Sequence, residues 1–286
     1  MVSLCSSMFI FGTIGIFVRY IPLPSSFIAL VRSVVGLALL VAVTLAKGGG
    51  FSLSNLKGKL GRLALSGILM GFNWILLFEA YRYTTVATAT LCYYLAPVFM
   101  ILASPIVLKE KLTAKKLICV ILALVGMVFV SGVLQAGFSG MRELTGILLG
   151  TGAALLYASV VLLNKTTGSL PPLNRTMVQM GSAAAVLLPY VLLTEQVGAM
   201  KFAPLTIVLL LVVGIIHTGI AYLLYFGSMG ELKAHTLAIF SYIDPIVAIL
   251  LSALLLNEPL GLGGIVGAVL ILGAAFVSEL PDKKNN

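Results

Sequence analysis

The chain has 286 residues, of which 60% are hydrophobic and only 9% charged, with a mean hydropathy of +1.14. So little charge cannot cover a soluble surface of this size, and the apolar residues come in runs of about 20, the length a helix needs to cross hydrocarbon. The net charge of +9 does not point to nucleic acid, because Lys and Arg lie in short connections between apolar runs, where they set membrane topology.

The fold class expected is all-α: a polytopic membrane protein with ten transmembrane helices. In chain order the spans are 2–19, 26–46, 60–81, 85–108, 114–133, 144–164, 174–194, 204–228, 235–256 and 262–280. The first lacks the basic leader of a signal peptide and reads as a membrane helix. Pro24, Gly48 to Gly50, Pro171, Pro172 and Pro204 punctuate the turns. Cys5, Cys92 and Cys119 all fall inside apolar segments; an odd number so placed reads as small packing residues, not a disulfide framework.

Orientation follows from Lys and Arg. With the N-terminus inside, the inner loops hold thirteen basic residues: Lys47, Lys57, Lys59, Arg62, Lys109, Lys111, Lys115, Lys116, Lys165, Arg175, Lys233, Lys283 and Lys284. The outer loops hold Arg19, Arg82, Arg142 and Lys201, and Arg32 lies within a span. Both termini are therefore expected in the cytoplasm of a cell whose plasma membrane the chain spans.

One stretch occurs twice. Tyr94 to Leu112 and Tyr242 to Leu260 match at a constant shift of 148, pairing Pro97 with Pro245, Ser104 with Ser252, Leu108 with Leu256 and Glu110 with Glu258. The register extends outward to Gly71 with Gly219, Phe78 with Phe226 and Thr88 with Thr236, and at a shift of 147 to Gly126, Phe129 and Ser131 with Gly273, Phe276 and Ser278. Two repeats follow, residues 1–135 and 143–281. Five spans per copy is an odd number, so the second copy enters the membrane inverted. The loop Lys109-Glu110-Lys111 should be inside and its partner Asn257-Glu258-Pro259 outside. Inverted repeats of this kind are a recurrent transporter plan, with the site near the midplane between the halves.

The two copies, each an apolar run with a central proline, a Glu-x-Leu at the helix end and a Gly-containing span, resemble EamA domains, which build the ten-helix members of the drug/metabolite transporter superfamily. The likeness covers nearly the whole chain and is most specific from Pro97 to Glu110 and from Pro245 to Glu258. The first spans match more weakly, Phe11-Gly12-Thr13 with Tyr157-Ala158-Ser159 and Arg19 with Lys165. Where the family often has tryptophan before the glycine, this chain has Phe11. The resemblance implies a metabolite carrier, commonly an exporter, with an aromatic-lined central cavity. It names no substrate.

Ionisable side chains within spans are costly and usually face a cavity or a partner. Asp244 sits mid-span beside Pro245, and its repeat partner is Ala96, so the acid belongs to one half only. It is a candidate cavity carboxylate; a protonated carboxyl bonded to backbone freed by Pro245 is the structural alternative. Pro97 and Pro245 each remove a helix hydrogen bond, which bares a carbonyl and makes either a flexing point or a static kink. His217, mid-span, is a candidate proton relay with Asp244, or a hydrogen-bonded packing residue. Glu79 is either a charge at the cavity mouth or a local partner of Arg82. Asn73 and Trp74 lie nearer mid-span, and Trp74 falls opposite Tyr222, so both halves place a large aromatic there: stacking walls or core. Arg32 could bind a substrate carboxylate, pair with Glu79 or Asp244, or snorkel outward. Tyr93, Tyr94, Tyr157 and Tyr242 add hydroxyls and ring faces. Glu110 and Glu258, kept by both halves at helix ends, read as loop-fixing or gating residues rather than ligands of a substrate. The Gly67-x-x-x-Gly71 and Gly263-x-x-x-Gly267 pairs and Gly126 allow close helix approach.

The function expected is secondary transport of small metabolites (amino acids, amines or similar amphipathic solutes) by alternating access. The partners are a small-molecule substrate and the bilayer, with protons as a candidate coupling ion through Asp244, His217 or Glu79. Uncoupled facilitation fits equally; a channel or receptor has no signal of its own. No Gly-x-x-x-x-Gly-Lys-Ser/Thr loop offers nucleotide drive. No His-Glu-x-x-His pair offers zinc ligands, so no enzyme, metal or cofactor is expected. With both halves in one chain a monomer suffices, and a homodimer is equally compatible.

Overall fold

The computed structural model describes residues 1–46, 48, 58–109, 112–130, 141–167, 170–229, 240–258 and 260–280. Glu110, the junction between the repeats and the first part of the ninth span lie outside the described residues. Helices form all the regular structure within them: α1 (Val2–Arg19), α2 (Ser25–Ala46), α3 (Leu60–Tyr83), α4 (Val86–Tyr93), α5 (Ala96–Val107), α6 (Ala114–Val130), α7 (Met141–Thr166), α8 (Pro172–Thr194), α9 (Pro204–Gly214), α10 (Ala221–Met229), α11 (Ile243–Leu255) and α12 (Leu262–Glu279). Among the described residues, seven helical stretches are long and apolar enough to cross a membrane, counting α4 with α5 as one and α9 through Tyr225 as another; α11 and α12 are shorter apolar helices. The protein is a multi-pass membrane protein of two five-span repeats.

The inverted repeat is visible in who packs on whom. The first span, α1, lies against α10 and α11 of the second half; its counterpart α7 lies against α3 and α4 of the first. The second span α2 packs on α9, and its counterpart α8 on α3. Three pairs of partner spans pack on each other across the pseudo-axis: the second with the seventh (α2 with α8), the fourth with the ninth (α4 with α11) and the fifth with the tenth (α6 with α12). Each half thus buries its apolar stripes mainly against the other, so neither is a self-contained core. The α6–α12 contact depends on glycine: a Cβ on Gly126 would meet the Gly267 carbonyl at 2.9 Å and Ile271 at 2.9 Å, so the two backbones touch as in small-residue membrane interfaces.

Three spans depart from a plain helix. The fourth is broken at Tyr94 (φ −73, ψ 7) and the ninth at Tyr242 (φ −73, ψ −7), positions related by the repeat shift. Pro97 and Pro245 therefore stand in the first turn of the following helix, where a missing N–H has no partner to lose. The break precedes each proline by three residues, because the ring crowds the preceding turn. The eighth span carries one π-helical turn, Ile215–Ile220, between α9 and α10. Local widening of this kind is rare and concentrates at functional sites.

The repeat also marks the ends of its fourth spans. Lys109 (φ 57) and Asn257 (φ 54) are the non-glycine residues with left-handed backbone among those described, and they are repeat partners. Each follows a leucine, Leu108 or Leu256, whose N–H closes on Ser104 or Ser252. Asparagine tolerates that backbone better than lysine does.

Candidate functional site

The mirrored breaks meet at the centre of the molecule. The rings of Tyr94 and Tyr242 lie 6.3 Å apart. Pro245 has no N–H to offer the Ser241 carbonyl four residues back; the Tyr94 hydroxyl donates to that carbonyl at 3.2 Å and stands 3.3 Å from Asp244 Oδ2. The break in one half is thus filled by a side chain from the break in the other. Asp244 remains partly exposed. Its backbone carbonyl is closely approached by α1, where a Cβ on Gly12 would sit 2.5 Å from it.

Aromatic rings extend from this point. Tyr93 packs on Tyr94 at 6.4 Å and on Tyr157 at 5.3 Å, while Tyr242 meets Phe276 at 5.7 Å. Phe11 of α1 lies 5.4 Å from Tyr222 and 6.4 Å from Tyr225 of the other half. Phe11 and Tyr157, first-span partners in the sequence, thus pack on different spans: Tyr157 on the fourth and Phe11 on the eighth. Tyr157 keeps 40% of its surface open, although Tyr222, Tyr225 and Asp244 are all within electrostatic reach of it. These residues of α7, α10 and α11 belong to the second half, and with Tyr93 and Tyr94 of the first they make up the candidate chamber.

The other polar residues of the spans divide into two groups. Arg32 is 6% exposed, its guanidinium 4.2 Å over the Trp74 ring and 5.7 Å from Phe78. Its Nε donates to Thr218 Oγ1 at 2.8 Å, and that hydroxyl donates to the Val213 carbonyl at 3.0 Å, five residues back in the widened turn. Arg32 does not snorkel, and no ion pair joins it to Glu79 or Asp244. Asn73 is buried, its Nδ2 donating to Ala153 of α7 at 2.5 Å, and its Oδ1 has no hydrogen-bond partner among the described residues.

His217 and Glu79 are held by structural contacts. His217 Nε2 lies 2.8 Å from Thr13 Oγ1 and Nδ1 lies 3.3 Å from the Val212 carbonyl, and Phe17 packs on the ring at 4.8 Å. The Thr13 hydroxyl has one proton, which it gives to the Ile10 carbonyl at 2.8 Å or to His217 Nε2; in the second case a neutral ring with its proton on Nδ1 satisfies both ring contacts. Glu79 accepts from Ser25 at 2.6 Å and pairs with Arg82 at 3.6 Å; it belongs to a surface cluster rather than to the chamber.

Glu258 closes one end of the molecule. Helix α4 begins there, and its first N–H groups have no helical partners. Val86 N–H goes to Glu258 Oε2 at 3.1 Å, Ala87 N–H to Ser252 Oγ at 3.4 Å, and Thr88 N–H to its own cap Thr85 at 3.0 Å. Ser252 also donates to Glu258 Oε2 at 2.9 Å, and Arg19 pairs with Oε1 at 3.0 Å while its Nη1 donates to the Thr84 carbonyl at 3.2 Å. Glu258 therefore joins α1, α4 and α11. At the opposite end Gln179 donates to Ser66 at 2.8 Å and to Asn164 at 3.0 Å, tying α8, α3 and α7. The Gln179 knot left no trace in the repeat, since no counterpart of it exists; the Arg19 contact could have been read from the paired recurrence of a base ending the first span and an acid following the fourth.

The fold is that of an inverted-repeat membrane protein. The chain belongs to the EamA-like transporter family, whose model matches residues 1–132 and 144–279. It is similar to an "Uncharacterized transporter YxxF" of Bacillus subtilis (34% identical over 250 residues, 86% of this chain and 78% of that one). It is also similar to "Protein RarD" of Escherichia coli (27% identical over 205 residues, 71% and 66%). One crystal structure shares the fold at a TM-score of 0.66 with 20% identity, covering 97% of this chain and 95% of that chain.

Proposed function

We propose that the protein is a secondary carrier of small amphipathic metabolites, amino acids or amines among them, that exports them across the plasma membrane by alternating access. The observation that carries this reading is the meeting of the two mirrored helix breaks at Tyr94, Tyr242 and Asp244, with the Tyr94 hydroxyl of the first half filling the gap of the second. A rocking motion of repeat 1–135 against repeat 143–281 would open the chamber to one side and then the other. The excess of thirteen basic residues over four supports cytoplasmic termini; in this reading the Arg19–Glu258 end is extracellular and the Gln179 end cytoplasmic. Each tie would part in one half of the cycle. Asp244 is the coupling carboxylate in this reading: partly exposed, held by one hydroxyl and free of any ion pair among the described residues.

The test is uptake into proteoliposomes of neutral amino acids, aromatic amino acids and quaternary amines, with and without an imposed pH gradient, beside Asp244→Asn. Accumulation that needs the gradient and is lost in the variant is the expected result. Equilibration without a gradient, unchanged in the variant, would leave an uncoupled facilitator and remove Asp244 from the mechanism. No movement of any solute by folded protein would overturn the carrier reading for this panel.

A further inference from the structure

A guanidinium removed from water is costly unless its donors are satisfied. Arg32 has only 6% of its surface exposed, and among the described residues its hydrogen bonding to protein ends with Nε and Thr218 Oγ1. Among the described residues neither terminal nitrogen has a protein acceptor, and no carboxylate is within ion-pair distance. The side chain is nonetheless held rigidly: one face on Trp74 at 4.2 Å, Phe78 at 5.7 Å, and Nε fixed to the widened turn. A planar fork fixed at its base, with its two outer donors free, is the geometry that takes a carboxylate in two parallel hydrogen bonds. Tyr222, Tyr93 and Asp244, residues of the candidate chamber, are within electrostatic reach of it.

We propose that Arg32 is the anion-binding residue of the central chamber and that the solute therefore carries a carboxylate. This rests on the carrier reading and narrows it: simple amines, admitted by the aromatic and acidic lining alone, are not substrates. A single cation with Asp244 nearby suits one negative charge, so a phosphate monoester, with close to two, is a poor fit. The rings of Tyr93, Tyr157 and Tyr222 would then face the apolar part of the solute. Because Nε is tied to Thr218, an incoming carboxylate pulls on the turn that links α9 to α10, the same span that packs on α1.

The sequence supplies its own reporter. Trp74 is the single tryptophan of the chain and lies under the guanidinium, so its emission reads the state of Arg32. Purified full-length protein is titrated with four probes that share one ring: 3-phenylpropionate, phenylalanine, phenethylamine and phenyl phosphate. The expected result is a saturable change in Trp74 emission with the two carboxylates at millimolar concentration, and none with the amine or the phosphate. Arg32→Met should weaken carboxylate binding about thirtyfold or more, and Arg32→Lys, which keeps the charge but not the fork, at least about tenfold. Circular dichroism and Tm confirm that the variants fold; if Arg32→Met does not, Arg32→Lys alone decides. Equal response to the amine, preference for the phosphate, no response to either carboxylate, or unchanged carboxylate affinity in a folded variant would each overturn the proposal. Flux separates the two readings: gradient-driven movement of amines alone sinks Arg32 and keeps the carrier, whereas carboxylate binding without flux of any probe keeps the site and sinks the carrier.

Discussion

Replacing Glu258 by glutamine keeps the shape of the side chain and removes what it does. The carboxylate accepts from three groups on three elements: Arg19, Val86 N–H and Ser252, at 3.0, 3.1 and 2.9 Å. A glutamine oxygen can serve one side of that arrangement, but its NH2 must then face a donor. The Arg19 pair is a third exposed on the arginine side, so it is discounted to about 0.5 kcal/mol. Losing a charged acceptor at the α4 N-terminus costs about 1–2 kcal/mol. Together these give about 2 kcal/mol, roughly thirtyfold in an equilibrium between closed and open forms of this end. Spin labels at Tyr20 and Leu262, exposed at 58% and 82% beside the ends of α1 and α11, report the separation by pulsed electron–electron resonance without any knowledge of substrate. Glu258→Gln should raise the long-distance population by that factor, and high salt should shift the native protein in the same direction by a smaller amount. If the distance distribution is unchanged while Tm falls by the full 2 kcal/mol equivalent, Glu258 is a static staple and the alternation argument at this end fails.

Lys109→Asn should stabilise the protein by about 0.5–1 kcal/mol, because it relieves a left-handed lysine that the other half solves with Asn257; thermal unfolding in detergent checks it. His217→Gln should lower Tm, since the Thr13 and Val212 contacts are only partly replaced, yet leave the pH profile of transport unmoved; a shifted profile would return His217 to the coupling machinery. Gly12→Val should displace α1 from the Asp244 backbone and reduce flux more than stability. Its Cβ meets the Asp244 carbonyl at 2.5 Å and Val247 at 2.7 Å, an overlap that costs about 1–3 kcal/mol, and flux measured against folded protein separates the two losses.

The architecture was legible because two physical constraints leave marks in sequence. Apolar runs of membrane length give the spans, and a duplicated run with an odd number of spans gives the inversion. The inversion makes the packing of α1 on the ninth span the counterpart of the packing of α7 on the fourth. What was not legible depended on contacts between residues far apart. The breaks were expected at the prolines, and they fall three residues earlier because a proline fits the first turn of the helix it begins. The π-helical turn has no periodic signal; its identity emerges only when Arg32 and Thr218, 186 positions apart, are seen to share a hydrogen bond. The triple role of Glu258 was equally hidden. The sequence marks it as a helix-end residue kept by both halves, and only the fold brings the α4 N-terminus to it.

Symmetry also explains where the chemistry had to be asymmetric. The two halves supply matching frames: breaks at Tyr94 and Tyr242, rings at Phe11 and Tyr157, large aromatics at Trp74 and Tyr222. A chamber built only from such pairs would present the same surface to both sides and could bind an apolar solute without orienting it. The polar residues break the equivalence. Asp244 faces Ala96 in the repeat, and Ala96 is buried at 3% exposure while Asp244 remains partly open; an acid placed at Ala96 would be desolvated without a partner. His217 faces Leu69, and Thr218 faces Met70, so the widened turn that receives Arg32 exists in one half only. The paired positions can therefore be assigned to moving, since a two-sided motion needs equivalent parts, and the unpaired polar positions to holding. Substitutions within a mirrored pair should alter rates of exchange in both directions, whereas substitutions at Arg32 and Asp244 should alter which solute is accepted.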